Sequence, residues 1–219
     1  MEAILKHVNE KLEKHKLKLI DQKVLEEHKK VMDAWRNISK SITKPVKFLI
    51  VGEATVSWDN YFYNVDANTT SFLSPSQFGC VNKAKLISFF EKKGVLVFDL
   101  YPLPLPTFVY DKVEFDCKVD SPYVEALIMY YKESLLDNNF IDDNTVIISR
   151  YAKFYKEKVD KKNQVVKNKS KQVVLDEKRF EWEIFMKAID RKINDFKPIY
   201  GSYSADADKV KQVFQKILY

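Results

Sequence analysis

The chain has 219 residues, of which 46% are hydrophobic and 14% aromatic, and its formal net charge is +6 at pH 7. This apolar content supplies a core, so a chain that is disordered throughout is excluded. No apolar run approaches the roughly 18 residues that a membrane-spanning helix needs, and the charged beginning argues against a secretory signal. We therefore expect no membrane partner and a cytoplasmic location.

The rare residues exclude several classes of site. The four glycines lie far apart, where average usage of about 7% would give roughly 15, so the glycine clusters of phosphate-binding loops are absent. Two cysteines give neither a disulfide framework nor a four-ligand metal site. All three histidines fall within the first 28 residues, a stretch expected to be peripheral, so histidine-dependent catalysis is not expected. No metal or organic cofactor is implied.

The first 40 residues predict two helices. Ile4, Val8 and Leu12 are spaced by four, and Asp21 is a suitable N-cap for a second helix that carries Trp35. We interpret residues 1–44 as an N-terminal helical extension and residues 45–219 as an α/β domain.

After residue 45 the pattern changes to strands that alternate with helices. Short apolar runs rich in β-branched residues predict buried parallel strands, and amphipathic segments between them predict helices. The predicted strands cover residues 46–51, 95–101, 144–149 and 198–200, and the predicted helices cover residues 83–93, 121–136, 180–196 and 205–218. A long aromatic-rich loop is expected over residues 53–80, and a lysine-rich loop or hairpin over residues 153–178.

This alternation predicts a three-layer α/β/α fold with a mainly parallel central sheet. Such sheets bind ligands beyond the carboxyl ends of their strands, which directs attention to the residues that follow each strand. Glu53 follows the first strand directly, and Asp99 interrupts the second. Each carboxylate could activate water or stabilise a developing cation; alternatively, it caps the next helix or pairs with a lysine.

Several of these segments resemble the uracil-DNA glycosylase superfamily. The resemblance lies in Val51-Gly52-Glu53-Ala54, in a loop that ends in Phe78-Gly79, and in the run from Gly94 to Pro102. In that family the first strand ends in a Gly-Gln-Asp-Pro or Gly-Glu-Ala-Pro type motif, an aromatic residue stacks on the flipped base, and a later Asn reads its edge. A final His-Pro-Ser type motif grips the DNA.

The resemblance implies a role for each matching position. Glu53 and Asp99 become the catalytic candidates, with Glu53 on the attacking water and Asp99 at the base. The implied substrate-binding residues are Gly52, Ala54, Phe78, Tyr101, Tyr200 and Ser202. Three departures stand out: Thr55 replaces the expected Pro, Asp99 replaces Asn, and Tyr200-Gly201-Ser202 stands where the His-containing motif would be.

The implied function is that of a divergent DNA N-glycosylase, an enzyme that hydrolyses the bond between a flipped base and deoxyribose. Nucleic acid, with DNA favoured, is the expected partner, and the nine lysines of residues 153–178 could contact phosphates. The alternative is a non-catalytic module that binds nucleic acid or a protein through the same fold. A third possibility is an enzyme that acts on a free nucleoside or nucleotide.

Overall fold

The computed structural model describes residues 1–14, 16–55, 57–67, 73–104, 122–151 and 179–200, together with Gln215. Its helices and strands, in chain order, are α1 (Glu2–Lys14), α2 (Gln22–Ser41), β1 (Phe48–Ala54), α3 (Lys83–Lys93), β2 (Val95–Tyr101), α4 (Pro122–Tyr131), β3 (Val146–Tyr151), α5 (Arg179–Ala188) and β4 (Lys197–Tyr200). Two 3-10 turns (Trp58–Asn60 and Pro75–Phe78) precede α3, and a π-helical turn (Lys132–Leu136) continues α4. Within the described ranges, no helix is both long and apolar enough to cross a membrane.

The strands form an open parallel sheet in the order β2-β1-β3-β4. β1 lies between β2 and β3, with Ile50 opposite both Val97 and Ile148, and the short β4 pairs with β3. The side chains of Leu49 and Ile50 are fully buried, as expected of a central strand covered on both faces. The predicted mixed α/β architecture with a parallel sheet is confirmed.

Several predicted boundaries differ from the structure, and the ends of β1 and α5 differ most. β1 runs to Ala54, so Glu53 belongs to the strand rather than to the loop after it. The helix predicted over residues 180–196 ends at Ala188, because the chain turns at Asp190, where φ is 55°. The indole N–H of Trp182 then donates a hydrogen bond to the Ile193 carbonyl, which fixes the returning segment against α5.

Other predicted segments lie outside the described residues. These are the lysine-rich segment 153–178 and, apart from Gln215, the helix predicted over residues 205–218.

The two N-terminal helices share the core of the α/β part. α1 buries Ile4, Val8 and Leu12, and the ring of His7 stacks on Tyr123 of α4 with the centroids 4.2 Å apart. These contacts place α1 on α4.

Helix α2 packs on the sheet through Trp35. The Trp35 ring lies 5.5 Å from the ring of Phe98 in β2, 5.6 Å from Phe140 and 6.4 Å from Tyr63, measured between centroids. One side chain of α2 thus joins three separate parts of the chain.

The aromatic loop after β1 folds over β2. The backbone N–H of Val97 donates a 2.8 Å hydrogen bond to the Tyr63 hydroxyl. Among the described strands β2 has a neighbour on one side only, so this bond supplies a partner on its other side. The loop is also held from α3, because the buried Lys83 ammonium donates to the Tyr61 carbonyl at 2.7 Å. These contacts bring the aromatic loop next to the carboxyl end of β2.

Candidate functional site

Asp99 lies near the carboxyl end of β2, opposite Gly52 of β1. The Thr55 hydroxyl, in the first residue after β1, donates a 2.5 Å hydrogen bond to Oδ2 of Asp99. The ends of two neighbouring parallel strands therefore meet at one carboxylate. It lies at the carboxyl edge of the sheet, where open α/β sheets bind ligands, and next to the β1–β3 crevice at which the strand order reverses.

A cavity of about 20 Å³ lies beside this carboxylate. Its walls combine Asp99 and Thr55 with aromatic and apolar side chains from the loop after β1, from α2 and from α4. The volume is about that of one ordered water molecule or one polar group of a ligand. The further lining residues are Val31, Met32, Trp35, Tyr61, Phe98, Tyr101, Pro102, Tyr130 and Ser134.

Two tyrosines of the cavity respond electrostatically to Asp99. Burial raises the pKa of Tyr61 well above its usual value, and the neighbouring Tyr63 and the charge of Asp99 raise it further. Burial, followed by the charge of Asp99, also raises the pKa of Tyr130. Both phenols therefore stay protonated near neutral pH and can act as hydrogen-bond donors beside the carboxylate.

The structure brings some of the predicted site residues together. Tyr101 is buried and lines the same cavity as Asp99, and Gly52 lies across from Asp99 in the strand register. The backbone of Ala54 pairs with Tyr101. The backbone of Glu53 belongs to β1 between Gly52 and Ala54, whereas the placement of its side chain lies outside what the structure describes.

Two of the remaining predicted residues, Phe78 and Tyr200, lie elsewhere in the described structure. Phe78 is 7% exposed, and its ring packs edge-to-face on Phe90 with centroids 5.0 Å apart. The backbone of Tyr200 lies in β4, three strand positions from β2, which corresponds to about 14 Å at the usual strand spacing. Ser202 lies outside the described residues.

Several side chains of the cavity have no local signal in the sequence. Tyr61 is one of many aromatics in its loop, and Tyr130 and Ser134 come from α4 and the π-helical turn after it. Thr55 stands out in the sequence only because it replaces the expected Pro, yet its hydroxyl donates the hydrogen bond to Asp99. These residues converge only through the tertiary fold.

The N-terminal histidines are less peripheral than expected. The ring of His28 in α2 lies near the backbone of Pro102, directly after β2. Burial lowers the pKa of His28, and the nearby Pro102 backbone partly opposes the effect. One histidine therefore reaches the strand end at which Asp99 lies.

Across the part of the chain that the structure describes, no three His, Cys, Asp or Glu side chains are grouped so as to hold a metal ion. Fold and site together define an α/β protein with an open parallel sheet and an acid–aromatic cluster at a strand end. Comparison with protein-family models, curated proteins and solved structures finds no match for this chain.

Proposed function

We propose that the chain is a divergent N-glycosylase, which hydrolyses the bond between a nucleobase and its sugar. The proposal includes the three-layer fold of the uracil-DNA glycosylase superfamily, with a base in DNA as the substrate class implied by the resemblance. The observation that carries it is the meeting of two strand ends at Asp99, beside a polar cavity and buried aromatic side chains.

The reaction needs two functions that carboxylates perform well. The water oxygen bonds to the anomeric carbon, the carbon–nitrogen bond breaks, and the base leaves with the bonding electron pair. In our proposal Glu53 accepts the proton of the water, and Asp99 stabilises the positive charge that develops on the sugar. General acid–base assistance of this kind typically contributes about 10²–10⁴ in rate.

The test is base release from a panel of substrates. Single- and double-stranded oligonucleotides that contain uracil, hypoxanthine or an alkylated base are incubated with the protein, and abasic product and free base are quantified. We expect release from at least one substrate, with a loss of at least about 100-fold in Asp99→Ala. The exposed Asp143→Ala is the matched control and should retain the wild-type rate.

Absence of release from every substrate, with the protein folded, would refute catalysis on nucleic acid. A rate unchanged by Asp99→Ala would instead refute the assigned site while leaving the activity in place.

A second candidate is a non-catalytic module that binds nucleic acid or a protein. The size of the cavity favours it, because about 20 Å³ admits one polar group but not a whole base. This candidate predicts oligonucleotide binding that weakens steeply with salt, without base release, and that is unchanged in Glu53→Gln.

A further inference from the structure

Three hydroxyl groups of the cavity beside Asp99 have no hydrogen-bond partner among the described residues. They belong to Tyr61, Tyr130 and Ser134. Tyr61 and Ser134 are buried as whole residues and Tyr130 is half-buried, yet none of the three hydroxyl oxygens belongs to the fully buried side-chain atoms that lack a partner. The cavity can hold such a partner, either one water molecule or one polar group of a ligand.

The donors and acceptors of the cavity specify the chemistry of that group. The hydroxyls of Tyr61 and Tyr130 can donate, and the carboxylate of Asp99 can only accept while it is ionised. A group that accepts a hydrogen bond from a tyrosine and donates one to Asp99 satisfies both sides, and a hydroxyl group can do both. A bare metal cation accepts no hydrogen bond and would leave the hydroxyl protons without acceptors.

The cavity adjoins a much larger groove between α2 and α4. The groove has a volume of about 790 Å³, within the range of small-molecule sites. Met32, Trp35, Tyr130 and Ser134 line both the groove and the cavity, so a ligand in the groove can place one group beside Asp99.

The charges of the groove disfavour a phosphate chain. Three carboxylates line it, those of Glu2, Glu125 and Glu133, and they outnumber the two cationic groups among the described lining residues, the α-amino group of Met1 and the guanidinium of Arg36, which also bonds to Asp33 at 3.1 Å. Carboxylates repel phosphates but accept hydrogen bonds from hydroxyl and amino groups.

From these observations we infer that the groove and the cavity together bind an uncharged, hydroxyl-bearing ligand of nucleoside size, with one sugar hydroxyl in the cavity on Asp99. The inference rests on the proposed function for the reaction, hydrolysis of a carbon–nitrogen bond between base and sugar, and it names a free nucleoside rather than a base in DNA as the molecule that carries this bond. The binding itself does not depend on catalysis.

The experiment measures binding of uridine and adenosine to the full chain by titration calorimetry. We expect saturable binding of at least one of them. The 5′-monophosphate of that nucleoside and its 2′,3′-dideoxy analogue should each bind at least tenfold more weakly, because one adds a phosphate and the other lacks the sugar hydroxyls.

The variants test whether the cavity is responsible. Tyr130→Phe and Ser134→Ala should each weaken nucleoside binding, the former at least tenfold, whereas Ser88→Ala on the exposed face of α3 should bind as wild type. Thermal melts monitored by circular dichroism establish that each variant is folded.

Three results would overturn the inference. The first is the absence of nucleoside binding, which is expected if water alone fills the cavity. The others are a monophosphate that binds more tightly than its nucleoside, and a nucleoside affinity that Tyr130→Phe leaves unchanged. Nucleoside binding without any base release would refute the proposed hydrolysis and leave the binding site standing. Base release from DNA without nucleoside binding would refute the inferred binding site and leave the proposed hydrolysis in place.

Discussion

Replacing Trp35 by alanine should strongly destabilise the protein, because this side chain attaches α2 to the sheet. Trp35 is 9% exposed, and its ring contacts the rings of Tyr63, Phe98 and Phe140. Aromatic side chains bury about 150–250 Å² each, which at about 25 cal/mol per Å² corresponds to roughly 4–6 kcal/mol. Alanine keeps part of this area, so we expect a loss of about 3–5 kcal/mol in the free energy of unfolding.

Urea denaturation monitored by circular dichroism measures this loss, with Leu25→Ala as the control on the same helix. Leu25 is 37% exposed, and its truncation should cost less than about 1 kcal/mol. If Trp35→Ala also lost less than about 1 kcal/mol of unfolding free energy, α2 would not pack on the sheet as described. It would then not form a wall of the Asp99 cavity either.

Three further predictions concern stability. Gly94→Ala should destabilise the protein more than Gly79→Ala, as measured by paired urea melts. Both glycines have φ near +70°, so alanine strains the backbone at either position. A Cβ at Gly94 would also lie 3.3 Å from the backbone N of Lys47, whereas nothing lies within 4 Å of a Cβ at Gly79. Burial lowers the pKa of Lys83 to about 8 from 10.5, so the unfolded chain binds more protons between these values. The unfolding free energy of wild type should therefore rise relative to Lys83→Met as pH increases from about 8 to 10.5, and a flat difference would contradict this. Thr55→Val should cost about 1.5–3 kcal/mol in urea melts, because it removes the hydroxyl that donates to the Asp99 carboxylate, and a neutral result would show that this hydrogen bond is not formed.

Much of the architecture could be predicted because its signals are local. The apolar runs of β1, β2 and β3 stand out from their polar surroundings, and Gly94 ends α3 in the left-handed conformation that its position after the helix predicts. The helix after residue 179 was predicted too long for a physical reason. Ile193 and Phe196 continue its apolar pattern and do pack on the core, but they reach it from a chain that has already turned at Asp190.

The site could be predicted only in part. Asp99 stands out because a carboxylate within an apolar strand requires a reason, and the structure supplies a hydrogen-bonded environment for it. Tyr61, Tyr130 and His28 have no such local signal, since each belongs to a segment whose pattern describes only its own packing. Their approach to Asp99 depends on how the aromatic loop, α4 and α2 pack around β2, which no spacing along the sequence encodes.

A crystal structure of the chain with a hydrolysis-resistant nucleoside bound would show where the ligand lies. We expect it in the groove between α2 and α4, with a sugar oxygen within hydrogen-bond distance of the Asp99 carboxylate and the Tyr130 hydroxyl. Density for the ligand at another surface, with only water beside Asp99, would contradict this expectation.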